Sequence, residues 1–248
     1  MSDVSVTILT KDSSKHLKRC LDALRSFSEV VVLDNGSTDD TLDIAGGYQN
    51  VRIFRSEFIG FEPLKDLAAS HASNDWIFSV DSDEVVTPEL ERSVIDHGLK
   101  DDQVGAVHRL NHFNGRLINA CGWQNDITKR LYNRRTTNFG EFRVHESLAP
   151  TAGGEVRLAG HLLHFTSDSV QDLNQKAHRY AALYAEQNRG RKRSSSPRAQ
   201  LAGAGRFIRD HFLLKGVLYG RDGYVIARSN AAGAYYKYLK LAEAAESD

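Results

Sequence analysis

The stretch WIFSVDSDEVVTPEL, Trp76 to Leu90, decides how the chain is to be read. An apolar run, DWIFSV (75–80), has the length and composition of a buried strand. It ends in three acids, Asp81, Asp83 and Glu84. Thr87 then stands where a helix N-cap belongs, with Pro88 at the first helical position, so TPELERSVIDHGL (87–99) is predicted to be helical. Strand, acidic turn, helix is one βα unit. A core-forming chain gains nothing from three carboxylates at a strand tip unless something compensates them.

Working back toward the N-terminus, the same unit recurs. VSVTIL (4–9) reads as a strand. Residues 13–27 follow with Leu17, Cys20, Leu21, Leu24 and Phe27 at helical spacing. VVVL (30–33) is a second strand, followed by the turn DNGSTD and a short helix near DTLDIAGGY. VRIF (51–54) is a third, and PLKDLAASHA (63–72) a helix opening on proline. Alternation of this kind predicts an α/β fold with a mostly parallel sheet flanked by helices. Beyond residue 100 the pattern changes. VGAVHRLNHF (104–113), TKRLYNR (128–134) and LAGHLLHF (158–165) read as strands joined by irregular loops. From about residue 168 three helices are expected, DLNQKAHRYAALYAEQ, SPRAQLAGAGRFIRDHFLLKG and IARSNAAGAYYKYLKLAEAA. The division expected is 1–166, with halves 1–100 and 101–166, and a helical extension over 167–248.

Composition narrows the class. The 248 residues are 41% hydrophobic and 9% aromatic, an ordinary globular balance. Cys20 and Cys121 are far apart and form no CxxC pattern, which argues against a disulfide framework or structural zinc and suits a reducing compartment. The N-terminal residues lack the pattern of a signal peptide, and no window has the apolar length of a membrane span. Net charge is zero but uneven: residues 186–221 hold nine basic residues against Glu186 and Asp210, so that segment is +7 and the remainder −7. Such asymmetry points to a surface that meets something anionic.

In a parallel α/β sheet, ligands bind beyond the carboxyl ends of the strands. Asp34 follows VVVL there, and Asp81 and Asp83 follow WIFSV. Asp-x-Asp in a turn can offer carboxylate oxygens to a hard cation, Mg²⁺ or Mn²⁺, which commonly shares them with a diphosphate. The plain alternative is turn chemistry, since Asp and Asn bond nearby backbone N–H groups, and Asp83 or Glu84 could cap the next helix. Taken alone, VDSDE supports both readings evenly.

The order and spacing of TILTKDSSKHL, VVVLDNGSTDDT, GFEPLKDLAAS and SVDSDEVV together resemble family 2 glycosyltransferases. The likeness is greatest to the lipopolysaccharide-core, β-1,4-glucosyltransferase-like subgroup, in which T-K-N-E, LDSGSTDGT, GFGPQKNRAL and LDADE occupy these places. It covers residues 4–150 well and continues more loosely through GWQNDITKRLYNRR, FRVHESL and the tail. Here Asp12 and Asp66 stand where the family usually has Asn, and Ser82 replaces Ala. The resemblance implies a GT-A fold, an inverting mechanism, a nucleotide-sugar donor such as a UDP-hexose, and a divalent cation. It places Thr10, Lys11, Asp34, Lys65, Asp81 and Ser82 at the donor. Asp34 would accept from a uracil-like N–H, Asp81 would meet the ribose or metal, and Lys65 would approach the diphosphate. Asp83 would be the metal ligand proper, with His145 a further ligand.

An inverting transfer needs a general base for the acceptor hydroxyl. Asp126 is favoured, in a loop beside Trp123, whose ring could stack on a sugar. Glu146 is the competitor. Arg130, Arg134 and Arg143 could neutralise phosphate charge or bind an anionic acceptor. Each of these side chains also has a plainer reading, as a solvated charge, a surface pair or, for His145, a satisfied core histidine. His161 and His164, three apart on a strand, point to opposite faces and are not expected to share a metal.

The expected acceptor is a saccharide or lipid-linked saccharide of the cell envelope, such as lipopolysaccharide core. The expected place is cytoplasmic, with the basic helical tail resting on an anionic membrane surface. That tail could equally pack on its own chain or on a second subunit. No nucleic-acid-binding motif is present. The rival readings are a nucleotidyltransferase, disfavoured because LTKDSSKHL lacks a glycine-rich phosphate loop, and a non-catalytic nucleotide-sugar or glycan binding module.

Overall fold

The computed structural model describes residues 3–139, 148–167 and 169–246. Its sheet begins with four parallel strands, β1 (Val4–Thr10), β2 (Val30–Asp34), β3 (Val51–Arg55) and β4 (Trp76–Asp81), in the order β3-β2-β1-β4. VVVLD is buried at every position, as a strand covered on both faces must be. Four helices connect or follow these strands: α1 (Ser14–Asp22), α2 (Thr41–Gly46), α3 (Phe61–Ser70) and α4 (Pro88–Ile95). Beyond β4 the sheet turns antiparallel. β5 (Glu84–Val86), β6 (Val104–Phe113), β8 (Asp126–Asn133) and β9 (Glu155–Ser167) complete the order β4-β8-β6-β9-β5, and β7 (Arg116–Leu117) pairs with β6. The largest apolar cluster gathers Val4, Val6 and Ile8 of β1, Leu17, Cys20 and Leu21 of α1, and Leu90 and Val94 of α4.

Several expectations shift. α1 ends at Asp22, well before residue 27, but Leu24 and Phe27 stay buried through two following turns. α3 starts two residues before its proline, after Gly60 at φ 113°. Pro63 therefore lies inside the first turn, where a missing N–H costs nothing because those groups have no helical partner. β5 and β7, three and two residues long, are too short for local periodicity to reveal. The helix expected over 196–216 ends at Ile208 and passes into a π-helical turn, Arg209–Leu213.

The chain forms two compact units, Met1–Arg109 with Asp126–His164, and Leu110–Asn125 with Phe165–Asp248. The single boundary expected at 166 did not include the excursion 110–125. In the second unit α5 (Val170–Gln187), α6 (Ser196–Ile208) and α7 (Gly220–Glu246) pack on one another. Ser169 and Ser195 cap α5 and α6, accepting from the N–H groups of Asp172 and Arg198. The excursion contributes Ile118, Ala120 and Cys121 to a cluster with Leu173 and Ile226. Trp123 packs on that same cluster, which occupies part of the ring expected to stack on a sugar. Among the described residues, no helix is long and apolar enough to cross a membrane.

Within the first unit, β9 crosses the start of α4. Thr87 Oγ1 donates to the His161 carbonyl and accepts from the His161 N–H, both at 3.0 Å. The approach depends on Gly160, at φ 86°, where an added Cβ would lie 2.7 Å from Leu90 Cα. Gly160→Ala is expected to cost at least about 2 kcal/mol, from the clash and the left-handed backbone together. Urea unfolding checks this, and an unchanged midpoint would refute it.

Candidate functional site

Register builds the site. β1 pairs Thr10 with Asp34 on one side and Leu9 with Asp81 on the other, so both acid-bearing tips flank the carboxyl end of one strand. The loops leaving these strands are laced together. Asp12, at φ 46°, accepts from the Thr38 N–H at 2.8 Å, and its own N–H donates to Ser37 Oγ. Lys11 Nζ donates to the carbonyls of Asn35 and Gly36. Ser82 Oγ bonds Ser13 Oγ at 3.0 Å, joining the acidic turn to the loop after β1.

Asp34, which the resemblance places at the nucleotide base, is held by the turn around it. It is 1% exposed. It accepts from Thr10 Oγ1, Ser37 Oγ and the N–H groups of Gly36 and Ser37. Burial alone would raise its pKa, but the bonds from Ser37, Thr10 and Gly36 outweigh it and hold the carboxyl below the usual range. These bonds give Asp34 a part in shaping the loop. Asn35, next in the chain and partly exposed, was not singled out in the sequence.

The acidic turn finds its compensation in arginine and lysine. Arg130 Nη2 lies 2.6 Å from both Asp81 and Glu84. Lys65 Nζ, buried, stands 3.5 Å from Asp81. It is not a solvated charge: its ammonium faces the acidic turn. Arg109 reaches Glu84 at 3.3 Å and Asp126 at 2.8 Å, and lies 3.9 Å from Asp81. Three acids thus face three cations within one network. Burial would raise Asp81, but Arg130, Lys65 and Arg109 hold it well below the usual carboxylate range. Burial works against the Arg109 charge, yet Glu84 and Asp126 keep its pKa raised.

Glu84 does not cap α4; Thr87 does. Instead Glu84, fully buried, accepts from the Asp81 N–H at 2.9 Å and holds both arginines. Arg134 is likewise not a phosphate ligand in this arrangement: its Nη1 donates to the carbonyls of Ala69 and Ala72 at the end of α3. Cys20 is core, its thiol pushed well up by burial and by Glu84, Asp83 and Asp81. Asp66 accepts from the Phe139 N–H at 2.9 Å.

Asp83 lies beside His164, with Nε2 3.5 Å from the carboxylate. His161 instead packs edge-on against His108. His145, Glu146 and Arg143 lie outside the described residues. Among the described residues no three Asp, Glu, His or Cys side chains gather as a cation cage. A carboxylate and an imidazole at one turn do fit a divalent ion that takes its remaining ligands from a diphosphate and water.

A parallel nucleotide-binding half whose acid-bearing loops meet at one edge, continued by antiparallel strands, is the arrangement of the GT-A transferases. Residues 5–152 match the model of glycosyl transferase family 2, and the chain belongs to that family. An uncharacterized glycosyltransferase of Rickettsia prowazekii (strain Madrid E) is 26% identical over 265 residues, covering 98% of this chain and 87% of that protein. The lipopolysaccharide core biosynthesis glycosyltransferase LpsC of Rhizobium meliloti (strain 1021) is 24% identical over 196 residues, covering 74% of this chain and 71% of LpsC. The crystal structure of S. aureus TarS 1–349 in complex with UDP-GlcNAc aligns with a TM-score of 0.51 at 16% identity, over 95% of this chain and 91% of that one. That likeness speaks for the fold. The chain is a glycosyltransferase.

Two substitutions probe the network and its surroundings. Glu84→Ala removes the fully buried carboxylate that both arginines share, leaving three cations to two acids in the network, and is expected to cost about 3–5 kcal/mol, measured by urea unfolding; a loss under about 1 kcal/mol would contradict the network's weight. Burial raises the Asp66 pKa despite its bond from Phe139. A carboxyl raised in the folded state loses stability as pH climbs past its unfolded value. Asp66→Asn, which keeps an acceptor for Phe139, should therefore stabilise the fold at neutral pH, read as a raised urea midpoint. The gain should vanish in acid, and a gain independent of pH would count against this cause.

Proposed function

We propose that the chain transfers a hexose, with inversion, from a UDP-sugar to a hydroxyl of a cell-envelope saccharide, with lipopolysaccharide core as the acceptor class. The observation that carries this is Arg109, one guanidinium lying beside both Asp81, on the donor-side turn, and Asp126. Donor-side acid and candidate base therefore sit within the span of one side chain, as a direct displacement requires. The lipopolysaccharide acceptor rests on the relative LpsC, and the UDP-sugar on the fold shared with TarS.

In this reading the loops after β1 and β2 hold the nucleotide. Base recognition falls to Asp34, with the neighbouring Asn35, whose carboxamide offers both a donor and an acceptor to a pyrimidine edge. Asp83 and His164 hold the divalent cation, which supplies positive charge for the departing diphosphate. Asp126 takes the proton of the acceptor hydroxyl as that oxygen attacks the anomeric carbon. Its pairing with Arg109, at 2.8 Å, fixes its position. A nucleotidyltransferase remains disfavoured, because the loop after β1 is closed by side chains of Asp12, Ser13 and Ser37 and not by a glycine-rich turn.

Calorimetry of UDP with and without Mn²⁺ tests the donor half. Mn²⁺ should strengthen binding, and Asp83→Ala should remove that gain. Asp126→Asn should leave UDP binding intact and lower kcat by about 10²–10⁴-fold. UDP that binds equally with and without Mn²⁺ would overturn the metal assignment. Full turnover by Asp126→Asn would overturn the base.

A further inference from the structure

The second unit carries a feature that donor chemistry does not use. Of the fourteen large apolar side chains exposed among the described residues, seven fall between Leu201 and Tyr224. Five of them, Ile208, Phe212, Leu213, Val217 and Leu218, lie within eleven residues, and Leu213 and Leu218 are 73% and 70% exposed. Ile208 ends α6, and the other four sit on the two tight turns that follow it, the π-helical Arg209–Leu213 and the 3₁₀ turn Gly216–Tyr219.

The other side of these turns is fixed. Asp210 is fully buried and accepts from Arg206, Arg209 and Asn230 at 2.6–2.9 Å. The Cys121 N–H donates to the Leu214 carbonyl, and Gly216 packs so closely on Cys121 that a Cβ would meet its sulfur at 2.7 Å. The apolar residues therefore project from a held base and are not the loose end of a loop.

Charge says what they face. From residue 187 to 221 the sole acid is Asp210, which is turned inward. Asp222, next along, faces Arg116 at 3.7 Å. Arg209, Lys215 and Arg221 are exposed around the apolar turns. Lys215 is left-handed at φ 60°, a position where glycine would be unstrained, so backbone strain there accompanies an outward cation. Exposed apolar side chains inside a cationic collar match the boundary between anionic headgroups and acyl chains, where both kinds of contact are satisfied together.

We propose that residues 208–218 are a membrane-contacting wedge, seating Ile208, Phe212, Leu213, Val217 and Leu218 in an anionic lipid surface with Arg209, Lys215 and Arg221 at the headgroups. This narrows the membrane contact expected of the whole basic tail to two turns, and it stands independently of the transfer reading.

Sedimentation of the full chain with vesicles tests it. The parent chain should sediment with phosphatidylglycerol-containing vesicles at low salt and much less with phosphatidylcholine alone. Lys215→Gln should bind about fivefold more weakly, and Leu213→Ser with Leu218→Ser about tenfold or more weakly. Unchanged near-ultraviolet circular dichroism and melting temperature should show that each variant folds. Failure of the parent chain to sediment with either vesicle would overturn the wedge, as would full binding by the double variant. A parent dimer that the double variant converts to monomer would also overturn it, by showing that a second copy covers these turns.

Discussion

The salt bridge between Glu84 and Arg130, 2.6 Å long, is closed to water on both sides, and the catalytic half is arranged around it. A buried ion pair seldom stabilises a fold more than apolar residues of the same volume would. Its effect is to dictate position, because an uncompensated charge in that place is so costly. Glu84 also accepts the N–H of Asp81, and Arg130 also holds the Asp81 carboxylate, so the pair fixes the first acid of the turn by main chain and side chain at once. Arg109, the second guanidinium on Glu84, then carries the constraint to Asp126 at the start of β8. Residues from β4, β5, β6 and β8 are set by one cluster, and shifting the acidic turn or Asp126 would break its ion pairs with Arg130 or Arg109.

How much of this was legible depends on the range of the information. β1 to β4 were legible because each is a continuous apolar run closed by turn residues, and a strand buried on both faces writes itself into local composition. The meeting of Asp34 and Asp81 at one edge also followed, since parallel strands present their carboxyl ends together. Thr87 was legible as the cap of α4, but the place of Glu84 was not, because its strand has three residues and pairs with β9, some eighty positions away. Arg109 was overlooked altogether. The signal was present, a cation inside the otherwise apolar strand VGAVHRLNHF, but its meaning lies in the antiparallel register that sets it across from Asp126. Local periodicity carries no register, so the network could not be assembled from the sequence even though its acids were named.

The same limit explains the excursion 110–125. Its strand and turn residues read as part of the antiparallel half because they are contiguous with it. What gathers Ile118, Ala120 and Cys121 with Leu173 and Ile226 is a match of small and branched side chains across a hundred residues of chain. At Asp34 the motif was recognised, but the number of donors that converge on it, four from Thr10, Gly36 and Ser37, is a property of the folded turn.

A neutral network has a consequence for the donor. Lys65, Arg109 and Arg130 already face Asp81, Glu84 and Asp126, so a diphosphate arriving at this edge meets cations whose fields are largely cancelled at close range. An enzyme that relied on those arginines for the leaving group would have to break the cluster that positions its base. A separate cation, as proposed for Asp83 and His164, would avoid that conflict, because its charge would add to the edge without drawing on the network. In that proposal the acids at the tip of β4 divide their work: Asp81 is held by Arg130 and Lys65 within the network, and Asp83, two residues on, would serve the donor's metal.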